Sequence, residues 1–176
     1  KILDLNFVGF LNIEYLIIIL CILLIFNLFN KMYLGDSGIY ILSTISGLIL
    51  IKIYNENSFI SPYYIVNLLW YPAFEILFSI IRKIKSKFSP VDPDTLHLHQ
   101  LIFFYLTKKF KFKKNILNSM TGLSINFYMI IPITFASFYS EKSNIQILIL
   151  LINIANYLLF YLYFYKNKLN ANNYLK

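Results

Sequence analysis

Charge is what this chain of 176 residues has least of: Asp, Glu, Lys and Arg together make up 14%, against about 25% in soluble domains, which excludes an ordinary water-soluble globule. Acids number only eight and histidines two, so each one set among apolar residues marks a place where chemistry is possible. Cysteine occurs once, at Cys21 inside an apolar run, which excludes an internal disulfide and says nothing about redox compartment. Glycine is scarce as well, five in all, and two of the five fall together at Gly35 and Gly38. No charged, apolar and small-residue signal pattern opens the chain and its first residue is Lys1, so the sequence reads as part of a longer protein.

What fills the chain instead is hydrophobic side chains, 59% of the total, with a mean hydropathy of +0.64. That composition is a membrane protein's. The net charge of +8 would suit nucleic acid, but the cations sit in short connections between apolar runs, where lipid headgroups and topology account for them. A nucleic-acid partner is therefore not expected.

The predicted fold is an all-α polytopic transmembrane bundle. A hydrocarbon core of ~30 Å calls for roughly 17 to 25 apolar residues per span, and five stretches qualify: 13–29, 38–53, 62–81, 117–139 and 145–165. The first holds twelve apolar residues in succession, Tyr15 to Phe26, apolar on every side, as helices in lipid are. The second is the shortest; Ser43, Thr44, Ser46 and Gly47 make it a small-residue helix suited to close packing. Tyrosine and phenylalanine gather at span ends, as at Tyr63-Tyr64 and Tyr161 to Tyr165, in the manner of interfacial belts. Alternating the spans puts Lys31, the loop 82–116 and the C-terminal tail on one side, with thirteen of the sixteen basic residues. By the positive-inside rule that side is cytoplasmic.

Two polar islands fall on that side. In Gly35-Asp36-Ser37-Gly38 a carboxylate or hydroxyl just before a helix is commonly an N-cap and glycine permits the turn; the same carboxylate can hold Mg²⁺, which takes one or two carboxylates and completes its octahedron with phosphate oxygens and water. Ser37 can cap while Asp36 ligates. The second island, Ser89 to Gln100, holds both histidines, His97 and His99, and two of the acids, Asp92 and Asp94. The histidines are either a solvated pair or ligand-facing donors, and they share a side only if the segment is extended. Zinc is a third reading, weakened by the lack of a nearby cysteine among the three or four ligands it wants. Glu75 lies inside the third span, where an ionisable group is a functional suspect by default; pairing with Arg82 or with another helix's polar face is the plainer account. The basic run Arg82 to Lys87 suits headgroups or phosphate, and Lys108 to Lys114, alternating with Phe110 and Phe112, suits an interfacial anchor.

Asn27 to Gly38, and Pro72-x-Phe74-Glu75 followed by Arg82, Ser89-Pro90, Asp94 and His97-x-His99, resemble in order and spacing two segments of the polyprenyl-phosphate N-acetylhexosamine-1-phosphate transferases. In that family a Gly-Asp-Ser/Thr-Gly turn follows one transmembrane helix, and a later cytoplasmic loop carries a Ser-Pro, Asp-Arg and His-x-His-His pattern. The resemblance covers about residues 26–101. Thr95 stands where the family has Arg, Gln100 where it has a third histidine, and the bulkier Ile39 follows the second glycine. The family's Asp-Asp and Asn-rich Asp-Gly motifs are not in this chain and are expected upstream, since five of about ten or eleven spans are visible.

The resemblance implies the C-terminal half of a Mg²⁺-dependent enzyme, Mn²⁺ being the alternative ion, in a bacterial inner membrane. It would transfer an N-acetylhexosamine-1-phosphate from a UDP-sugar to a polyprenyl phosphate, releasing UMP, for cell-envelope glycans. It implies that Asp36 holds the metal, that His97 and His99 reach the nucleotide's diphosphate or sugar, and that Asp94, Arg82 and Lys31 serve substrate binding, Asp94 by steadying its loop. Membrane lipids are further partners, and a homodimer is compatible with it. The reading from a different class is a non-catalytic membrane scaffold or half-transporter using Glu75; no inverted repeat within the five spans supports the transporter.

Overall fold

The computed structural model describes residues 13–87, 89 and 94–173, and its regular structure there is entirely helical. In order come α1 (Ile13–Leu28), α2 (Gly35–Glu56), α3 (Pro62–Lys85), α4 (Leu98–Lys109), α5 (Lys114–Phe138) and α6 (Ser143–Asn173). Pro90 and Asp92 of the second polar island lie outside the described residues. The helices form two compact units, Lys1–Ser58 and Phe59–Lys176.

In the first unit α1 ends because Asn30 takes a left-handed conformation (φ 54°), which asparagine tolerates better than most residues. The reversal lets Lys31 N–H reach back to Phe26 O at 2.9 Å, the bond that closes a Schellman turn. α2 buries no residue. Ser43 and Thr44 instead donate to the carbonyls of Ile39 and Tyr40 one turn back, at 2.7 and 2.9 Å, so their hydroxyls are satisfied without solvent.

In the second unit Pro62 opens α3 at a position where its missing N–H costs nothing, and the preceding Ser61 accepts a bond from Tyr63 N–H. Ser61 also bonds Ser143 Oγ (2.9 Å) and Ser140 O (2.9 Å), and Tyr64 Oη meets Ser137 Oγ at 3.0 Å. The start of α3 therefore meets the end of α5 and the start of α6, which makes α3 and α6 parallel and α5 antiparallel to both. Near the other end, Lys168 Nζ of α6 donates to Thr95 O at 3.0 Å, just before α4. The core is aromatic: Trp70, Tyr71, Tyr157 and Tyr161 are buried with Leu98, Leu101 and Ile102 of α4. Edge-to-face contacts lock it, Phe74 on Tyr157 at 5.0 Å and Phe78 on Tyr161 at 4.7 Å between centroids. Meanwhile Ile76, Leu77, Ile130, Ile131, Leu151 and Leu159 are exposed. Large aliphatics outside and polar groups inside is the arrangement lipid, not water, rewards.

Among the described residues four helices, α2, α3, α5 and α6, are long and apolar enough to cross a membrane. α1 has 16 residues from the start of the described segment and overlays the first expected span, 13–29. The second, expected to be shortest, is 22 residues long, starting at Gly35 and ending at Glu56, and the early start draws Asp36 into the helix. The expected loop 82–116 also needs correction: its middle is α4, twelve residues long. Leu98, Leu101 and Ile102 supply an i, i+3, i+4 stripe that the core buries, a gain that outweighs leaving the segment extended.

Candidate functional site

Both glycines of the first island have backbone reasons. Gly35 sits at φ +66°, a region costly to any residue with a Cβ. At Gly38 a Cβ would lie 2.7 Å from Leu34 Cγ, so Leu34 folds across a place only glycine leaves open. The N-cap of α2 is Leu34, with no side-chain cap bond. The expectation that Asp36 or Ser37 caps the helix is thus not met: α2 begins at the left-handed Gly35, which puts both inside the first turn. Asp36 is exposed there, where the positive end of the helix dipole favours a carboxylate. Lys31 is exposed in the preceding connection.

The second island is assembled by α3. Asn67, Tyr71, Glu75 and Ser79, buried along one face, recur every fourth residue and lead on to Arg82. Glu75 Oε1 lies 3.0 Å from His97 Nδ1 and accepts Leu98 N–H at 3.0 Å, while Oε2 accepts Tyr157 Oη at 2.8 Å. A carboxylate from α3 therefore occupies the N-terminus of α4. Glu75 does not pair with Arg82, the plainer account that the sequence offered for it. Asp94 takes the guanidinium instead, Arg82 Nη2 donating to Oδ2. Ser79 Oγ reaches the same oxygen at 2.8 Å, and Leu96 N–H reaches Oδ1 at 2.9 Å. Arg82 Nη1 donates to Leu96 O (3.2 Å) and Tyr161 Oη (2.9 Å). Arg82, expected at the substrate, and Asp94, expected to steady its loop, thus bond each other and the turn before α4.

His97 is the N-cap of α4, with an extended backbone (φ −68°, ψ 149°), and its N–H donates to Gln100 Oε1 at 3.3 Å. The extended cap is why residues two apart share a side: the rings of His97 and His99 stack nearly parallel, 5.7 Å between centroids at 14°. Gln100 is used as the capping partner. His99 is exposed at the surface, yet desolvation by the surrounding protein, then the neighbouring His97, holds its imidazole below the usual range, against the pull of Glu75. Desolvation pushes the Asp94 carboxyl up, but the hydrogen bonds from Ser79 and Leu96 and the charges of Arg82 and His97 together hold it below its ordinary value.

Sequence reasoning passed over Ser79, Tyr157 and Lys168, and took Tyr161 for an interfacial residue. The spacing Glu75, Ser79, Arg82 on an otherwise apolar helix was the available signal for the first; nothing local marks the α6 residues. An apolar cleft of about 230 Å³ beside Leu98, between α4, α5 and α6, is walled by Ile102, Tyr105, Tyr128, Phe160 and Phe164 and offers no charged group.

Among the described residues no three His, Cys, Asp or Glu side chains converge as a metal site. Mg²⁺ needs less from a protein: one exposed carboxylate suffices when substrate phosphates and water complete the octahedron, and Asp36 offers that, whereas the oxygens of Glu75 and Asp94 are already committed. Asp36 belongs to the first unit and the histidines to the second. No family model, curated protein or solved structure matches the chain.

Proposed function

We propose that this chain is part of a membrane phosphoglycosyltransferase that moves an N-acetylhexosamine-1-phosphate from a UDP-sugar to a polyprenyl phosphate at the cytoplasmic face of a bacterial inner membrane. The observation that carries the reading is the stacked His97–His99 pair, braced from behind by Glu75 and by the Arg82–Asp94 pair and open at His99. A rigid pair of imidazoles at a bundle end suits the diphosphate and sugar of a nucleotide substrate, because fixed donors need no reorganisation as charge shifts. The Gly-Asp-Ser-Gly turn, which resembles the metal-holding turn of that transferase family, supplies the second support.

In the proposed reaction an oxygen of the lipid phosphate attacks the sugar-bearing phosphorus, the bond from that phosphorus to the bridging oxygen breaks, and UMP leaves with that oxygen. The attacking phosphate is already ionised near neutral pH, so no strong general base is required of this chain. A divalent cation, when bound, supplies charge neutralisation between the two anions, and Asp36 is the residue to hold it. His99, with His97 behind it, orients the nucleotide sugar. Asp94 and Arg82 keep the turn before α4 in shape, and Lys31 adds positive charge beside the Asp36 turn.

The test is Mg²⁺-dependent UMP release by the complete gene product from UDP-N-acetylhexosamines and a polyprenyl phosphate in vesicles. Asp36→Asn and the His97→Gln/His99→Gln pair are each expected to cut turnover by at least about 100-fold; turnover surviving both overturns the reading.

A further inference from the structure

We propose that Glu75 sets the tautomer of His97, keeping the ring proton on Nδ1 and leaving Nε2 as the nitrogen offered to a ligand. The proposal starts from one oxygen. Glu75 Oε1 receives Leu98 N–H at 3.0 Å, and a backbone N–H can only donate, so that oxygen acts as an acceptor. As a carboxylate Glu75 has only acceptor oxygens, so its contact from Oε1 to His97 Nδ1, also 3.0 Å, places the hydrogen on Nδ1. Free imidazole side chains prefer the opposite tautomer, with the proton on Nε2, so the arrangement works against the default.

Glu75 is well placed to impose this. Its side chain is buried, Tyr157 Oη fixes the other oxygen at 2.8 Å, and the extended cap backbone with the Gln100 bond holds His97 in register. Nε2 lies 3.8 Å from Asp94 Oδ2, outside hydrogen-bond reach, and that oxygen already receives Ser79 and Arg82. The groups around the ring are Glu75, Ser79 and Arg82 from α3, Tyr157 from α6, and Asp94 and His99 from its own segment. A carboxylate on one ring nitrogen that directs the other toward a reacting group follows the logic by which a buried acid orients a catalytic histidine. Glu75 is therefore a positioning residue. What Nε2 then does rests on the transferase reading: unprotonated it accepts from a sugar or ribose hydroxyl, and protonated it donates to a phosphate oxygen.

The chain has two histidines, so His99→Gln leaves His97 as the only imidazole. The full chain with ring-¹⁵N histidine, in lipid vesicles at a pH where the ring is neutral, is read by NMR. The expected spectrum has Nδ1 at the protonated and Nε2 at the unprotonated position, unchanged in His99→Gln/Glu75→Gln, because Leu98 N–H keeps the amide oxygen turned inward. In His99→Gln/Glu75→Leu the two signals are expected to exchange places. Nε2–H as the main species in His99→Gln overturns the proposal without reference to the Glu75 variants, and so covers a Leu variant that fails to fold; an unchanged spectrum in a folded Glu75→Leu protein overturns it too. The result is separate from turnover: Nδ1–H together with no UMP release removes the transferase reading and leaves the tautomer assignment standing.

Discussion

At Gly35 to Gly38 the polar side chains face outward from a helix with no buried residue, whereas at 94–100 they face one another between α3, α4 and α6. The first arrangement is specified by what is missing, two Cβ atoms, and keeps its carboxylate uncommitted. The second is specified by complementary partners and spends nearly every hydrogen bond internally. In a chain this poor in charge, the contrast separates side chains left exposed from side chains spent on shape: Asp36 and His99 belong to the former, Arg82, Asp94 and Glu75 to the latter.

Breaking the clasp should produce the largest effect. With Asp94 and Arg82 side chains only 8% and 17% exposed, Asp94→Ala leaves a guanidinium without its carboxylate and is expected to cost about 3–5 kcal/mol, read as a lower unfolding temperature in detergent. The double variant Arg82→Ala/Asp94→Ala should cost less than the sum of the singles, since neither partner remains stranded. Next comes the glycine turn: Gly38→Val forces Leu34 aside and is expected to cost roughly 1–3 kcal/mol. Asp36→Asn should change stability by under about 1 kcal/mol, the scale of one charge at a helix terminus, while abolishing most UMP release. A comparable stability loss at Asp36 and Asp94 would erase the contrast.

The smallest effect is in pH. A carboxyl whose folded pKa lies below its unfolded value contributes stability that is complete above the unfolded value and is lost as pH falls through the folded one. For Asp94 the ordinary value is 3.8 and the folded one is lower, so unfolding temperature should stay flat from pH 7 to 5 on its account and drop only below about pH 4. Asp94→Asn should remove that acid-side drop.

Much of this was legible in order along the chain. The starts of α3 and α5 fall within three residues of the expected spans, and Asp36, Asp94, Arg82, His97 and His99 were all marked. α4 was not, because its apolar stripe is only one turn deep and its polar N-terminus reads as loop. Tyr157 and Tyr161 were not, because tyrosine near a span end is ordinarily an interfacial residue, and only contact with Glu75 and Arg82 gives these two another task.

Composition and hydrophobic run length by themselves determined that the chain is helical and suited to a bilayer, since in lipid each backbone group must find its partner within its own segment and any sufficiently long apolar stretch answers to that demand alone. Which polar groups meet was decided by the tertiary structure. Glu75 had equal local reason to turn toward Arg82, and it caps α4 instead because α3 and α6 run parallel and carry Tyr157 and the turn before α4 to the same level, a relation between residues some eighty positions apart that no local pattern encodes.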